Sequence, residues 1–96
     1  MNQLEEARHV IDRADRQMAA LFEQRMEAVR QVAAFKKEQG LPILNREREE
    51  KVVEQNRALL EDPALCPYYE EFIRTVMALS RRYQQELFDL QNTEQP

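Results

Sequence analysis

Arg25 lies on a helical stripe otherwise made of Met18, Leu21, Ala28, Val32 and Phe35, at the point where the next apolar residue belongs. A guanidinium in a dry interior is tolerable only when an opposite charge and hydrogen bonds meet it, and no Asp or Glu shares the stripe. An anionic ligand can supply the missing charge. Lys36 follows eleven residues later, which at about 100° per residue returns to nearly the same face with Cα atoms roughly 16 Å apart. Two long side chains can close that gap on an anionic molecule, the Arg by its planar fork and the Lys as a point charge. Arg8 precedes Arg25 by seventeen residues, about 25 Å along a helix, so it can reach the same small molecule only from another chain.

Further polar groups interrupt apolar patterns elsewhere. Ser80 lies on an inner stripe between Val76 and Tyr83, with Gln84 one turn further along. A buried Ser commonly bonds the carbonyl one turn back and a helical Gln commonly faces water, so neither marks a site alone. Beside the cations they become neutral donors. The run "NREREEK" from Asn45 puts Arg48 and Glu49 in the first turn of a helix, where a carboxylate suits the dipole and an Arg does not. Capping accounts for Asn45 and partly for Glu49, but leaves Arg48 unexplained.

The elements that must position these groups are helices. One glycine, Gly40, and four prolines punctuate the chain, and between them the apolar residues recur at 3-4 spacing instead of alternating. Helix 1 is expected from about Asn2 to Gln39, capped by Gly40 and stopped by Pro42. Helix 2 should start at Asn45 and carry Val52, Val53, Asn56, Leu59 and Leu60 inward until Asp62-Pro63 ends it. Helix 3 should start near Pro67, after a loop holding Cys66, and bury Phe72, Ile73, Val76, Tyr83, Leu87 and Leu90 before the tail "QNTEQP" frays.

A first helix of about 38 residues is roughly 57 Å long, about twice the width of a 96-residue globule. Its heptad-like seam of Leu4, Ala7, Ile11, Ala14, Met18, Leu21, Ala28, Val32 and Phe35 calls for a long partner helix, most simply another copy of itself. Antiparallel pairing about a two-fold axis brings Arg8 of one protomer to the Arg25 and Lys36 of the other, with two equivalent sites per dimer.

Composition narrows the function classes. A single domain spanning residues 1–96 suits the length, and a net charge of −4 argues against nucleic acid or an anionic membrane as the main partner. No apolar run is long enough for a membrane span, and the start "MNQLEEARHV" lacks a signal-peptide pattern. The lone Cys66 fits a reducing, cytoplasmic setting, and no metal-ligand spacing surrounds the lone His9. His9 and Cys66 both read as incidental to any chemistry.

Taken in order, Arg8, Arg25, Lys36, Asn45, Arg48, Glu49, Ser80 and Gln84, with "PILNRERE" between the first two helices, resemble the all-helical chorismate mutases of the AroQ class. The resemblance covers essentially the whole chain, and as a set the spacings are specific. It implies an intertwined homodimer of three-helix chains that rearranges chorismate to prephenate in aromatic amino-acid biosynthesis, with no metal or cofactor. By the same resemblance, Arg8 of the partner subunit, Arg25 and Arg48 frame the substrate carboxylates and Lys36 and Gln84 serve the ether oxygen. Glu49 accepts from the ring hydroxyl, and Ser80 steadies a ring substituent. Asn45 stands where the family often has Asp, so it can cap helix 2 and touch a hydroxyl but supplies no negative charge. Two other readings stay open: an isochorismate-pyruvate lyase on the same fold, and a non-catalytic helical dimerisation module.

Overall fold

The computed structural model describes residues 2–94, with backbone alone for 91–94. Asn2 opens the first helix by accepting a hydrogen bond on Oδ1 from the Glu5 N–H at 2.8 Å, and α1 then spans Gln3–Gln39. Glu5 and Glu6 in its first turn and Lys36 and Lys37 in its last complement the helix dipole. Gly40 ends the helix at φ 67°, a left-handed conformation that a side chain would disfavour, and the Leu41 N–H turns back to the Lys36 carbonyl at 2.8 Å. After a short connector, α2 spans Arg46–Arg57, capped by Asn45, whose Oδ1 accepts from the Arg48 N–H at 3.0 Å. A single 3-10 turn, Pro63–Leu65, leads into α3, Cys66–Glu94. The fold is all-α, with three helices and no strand among the described residues.

Helix α3 is the common support. Both α1 and α2 pack on it, while the backbones of α1 and α2 stay more than 8 Å apart at their Cα atoms. Val53 of α2 and Ile73 and Met77 of α3 form the buried cluster, with Val52, Tyr69 and Val76 against it. From α1, Val29 and Ala33 are buried. Helices that meet a third one but not each other leave a cleft between them, and the candidate site occupies it.

Four expectations are corrected. Helix α2 ends at Arg57 rather than at Asp62-Pro63: the Leu59 and Leu60 N–H groups bond three residues back, to Asn56 and Arg57, and this tighter winding turns Leu59 out to 76% exposure. Phe72 and Leu90 are exposed, and Met77 takes the inner position instead. Cys66 belongs to the first turn of α3 rather than a loop, because the Asp62-capped 3-10 turn feeds the helix one residue before Pro67. The helix does not stop at Leu90, since α3 extends through Glu94; the last two residues of the expected tail lie outside the described ones.

The long first helix leaves the molecule extended, 61 × 28 × 15 Å. Its radius of gyration is 17.2 Å, against about 12–13 Å for a compact chain of this length. Residues 2–24 are all exposed, including Leu4, Ile11, Met18 and Leu21 of the seam.

On the outer face Arg74 of α3 donates to both Glu50 oxygens, at 3.0 and 3.1 Å, and to Glu70 at 3.0 Å, tying α2 to α3. The hydrogen bond from Arg74, and then its charge, hold the Glu50 carboxyl below its ordinary 4.5. A carboxyl lowered in the folded state stabilises above pH 4.5, and the contribution is lost as pH falls through the lowered value. Arg74→Met should slightly lower the urea midpoint at neutral pH, with the gap to the native chain closing below pH 4.5 and in high salt. A gap that persists into acid would exclude the pair as its source.

Candidate active site

Between α1 and α2, floored by α3, lies a cavity of about 150 Å³. Helix α1 contributes Arg25 and Lys36, confirming that the eleven-residue spacing returns them to one face. From the opening of α2 come Asn45, Arg48 and Glu49, and from α3 come Ser80, Arg81 and Gln84. Val29, Val32, Val52 and Met77 supply apolar wall. Seven of the eight sequence-predicted residues thus line one cleft. Arg8 does not: it is exposed on the overhanging half of α1. A larger groove of about 310 Å³ between α1 and the far end of α3 offers only Arg30 as a cation, beside Glu27.

Neutral groups fix the cations. Arg25 Nη1 donates to Ser80 Oγ at 2.5 Å, and the buried Ser80 hydroxyl gives its own proton to the Val76 carbonyl at 2.9 Å. Lys36 Nζ donates to the Ile43 carbonyl at 2.6 Å, leaving two of its three donors for other partners. That carbonyl is in reach because Gly40 turns the connector back along the last turn of α1. Arg48 is exposed, and its backbone is anchored by the Asn45 cap, which commits the Asn45 oxygen to the helix end. Among the described residues none of these three cations meets a carboxylate.

The one carboxylate in the cleft, Glu49, is held by Arg81, whose Nη1 donates to Oε1 and, at 2.6 Å, to Oε2. Sequence reasoning missed Arg81, because the pair Arg81-Arg82 reads as solvated charge. Its only signal was position, directly after Ser80 and three before Gln84. Also missed were the Ile43 carbonyl and the Met77 wall. Gln84 is buried, and its Oε1 has no hydrogen-bond partner among the described residues. An unmet buried acceptor costs about 1–3 kcal/mol, so the fold alone does not account for an amide at this place in the cleft.

Four cations face one carboxylate, a local excess of three positive charges in a chain of net charge −4. Among the described residues no three His, Cys, Asp or Glu gather as metal ligands would, and no helix is long and apolar enough to cross a membrane. Fold and cleft together define an all-α protein with a preorganised, cation-lined pocket. The family model for chorismate mutase type II matches residues 7–85, a span that includes all eight predicted site residues. The chain belongs to that family and is an isomerase of the chorismate mutase kind. Among curated proteins and among solved structures, no match was found.

Because Ser80 is the only partner of Arg25 among the described residues, Ser80→Ala should cost about 1–1.5 kcal/mol in urea unfolding, as expected for removing the acceptor of a half-buried charged donor. No loss would mean that water replaces the hydroxyl freely.

Proposed function

We propose that this cleft converts chorismate to prephenate by holding the substrate in its reactive conformer and stabilising the charge that develops on its ether oxygen. The observation that carries this reading is the convergence of Arg25, Lys36 and Arg48, unneutralised, with Gln84 in one pocket. Chorismate is a dianion whose enolpyruvyl side chain must fold over the ring, so fixing both carboxylates is a large part of the work. Arg25 and Arg48 take carboxylates, with Arg8 of the partner subunit closing the site.

As the C–O bond breaks ahead of C–C formation, negative charge grows on the ether oxygen. Lys36, through its two remaining donors, and the Gln84 amide meet it. The amide nitrogen and oxygen exchange by rotation about the last side-chain bond, so the NH₂ can face the pocket when the ligand arrives. Groups that bind the transition state more tightly than the substrate raise turnover, and one such donor is worth about 3–4 kcal/mol, or several hundredfold. Glu49 accepts from the ring hydroxyl. Ser80 acts at one remove, since its hydroxyl already serves Arg25 and Val76. Asn45 organises the start of α2 rather than touching the substrate. No residue need act as nucleophile or proton shuttle, and a cytoplasmic location in aromatic amino-acid biosynthesis completes the reading.

The test is to follow chorismate loss and identify the product. Prephenate supports the mutase, whereas pyruvate released from isochorismate would point to the lyase. Because Gln84 is uncharged, turnover should be flat from mildly acidic to alkaline pH, and Gln84→Glu should confine it to acid, since a carboxyl donates only when protonated. A native rate confined to acid would remove Gln84 from this role.

The working unit in this proposal is a homodimer. Supporting it are the exposed seam of α1 and an apolar cleft formed by Met18, Leu21 and Phe22 with Tyr69, Phe72, Ile73 and Val76. Arg8→Ala and Arg25→Ala should each abolish most activity. Refolded together in equal amounts, they should recover about a quarter of the native rate, because each mixed dimer restores one of its two shared sites. No recovery would place Arg8 outside the pocket.

A further inference from the structure

One cation in the cleft has no part in the proposed mechanism. Arg81 leaves α3 beside Ser80 and crosses to α2, where its Nη1 donates to both oxygens of Glu49. The pair is sheltered, with 33% of the Arg81 and 21% of the Glu49 side chain exposed. The other ion pairs joining the same two helices are more open: Arg74–Glu50 leaves 42% and 66% exposed, and Arg57–Glu70 leaves 45% and 32%.

The competition inside the pocket decides what this pair does. Glu49 has three rotatable side-chain bonds and lines the same cleft as Arg25, Lys36 and Arg48. A loose carboxylate among three unneutralised cations would pair with one of them, discharging a group that the substrate dianion needs. Arg81 approaches Glu49 from α3 and satisfies it there. Each carboxylate oxygen keeps a further lone pair for another donor.

We infer that Arg81 is a positioning residue: it pins the Glu49 carboxylate on the α3 side of the cleft, presents it as the acceptor for the substrate hydroxyl, and keeps it from neutralising the neighbouring cations. This inference rests on the proposed chorismate reaction. Arg81 acts through Glu49 and makes no contact with the substrate.

A double-mutant cycle tests it, with kcat and KM measured per folded enzyme and urea unfolding measured alongside. In the native background Arg81→Met should raise KM about tenfold with a smaller change in kcat, because binding rather than the chemical step is weakened. In a Glu49→Gln background the same substitution should change KM by less than about twofold, since the group it positions is gone. Arg81→Lys, which keeps the charge but loses the fork, should restore part of the loss.

Equal KM effects in both backgrounds would overturn the inference and make Arg81 a direct contact of the dianion. An unchanged KM with only a lowered urea midpoint would overturn it too, leaving a plain tie between helices. A native protein that does not turn over chorismate would sink the proposed function itself, which is a different outcome from either.

Discussion

Three cations with no carboxylate partner among the described residues share one small cleft, and their mutual repulsion is the constraint under which the rest of the chain is built. The obvious remedy, a salt bridge for each, would hold the side chains but cancel the field that draws a dianion. The chain uses dipoles instead. A hydroxyl holds Arg25, a backbone carbonyl holds Lys36, and a helix cap anchors the residue that carries Arg48. Each fixes a position without neutralising a charge.

That solution requires the backbone to bring distant segments together, and the topology does so economically. Ser80 reaches Arg25 because α3 runs beneath both other helices. The Ile43 carbonyl reaches Lys36 because a left-handed Gly40 folds the connector back on α1. With α1 and α2 kept apart, the cleft stays open even though few side chains are buried. The same arrangement leaves residues 2–24 without cover from their own chain, so that half of α1 is available to a second subunit, while Val29 and Ala33 are the buried residues of the pocket half.

Local signals were legible in the sequence. The caps at Asn45 and Gly40 fall where their chemistry demands, and the spacing of Arg25 from Lys36 and of Ser80 from Gln84 converts directly into a shared face. Features set by tertiary packing were not. Leu59 follows helical period in the sequence but turns outward once the last turn of α2 tightens. Phe72 and Met77 are both apolar residues of α3, and which one goes inside depends on where Val53 sits. Arg81 escaped notice because a charge beside a charge looks like surface until the partner helix puts a carboxylate in front of it.

Gln84 follows the same electrostatic logic. A carboxylate on that side of the cleft, if ionised, would compete for Lys36 and remove its free donors from the ligand. A neutral amide leaves the lysine available and adds a donor of its own. The cost is a buried oxygen with no partner among the described residues. The cleft thus keeps its negative charge to a single residue, Glu49, and ties that residue to Arg81. Every other polar group in it is either a cation or a dipole that a dianion can use. The free state therefore bears the repulsion among the cations, which a bound dianion relieves, while the amide meets the ligand through its NH₂.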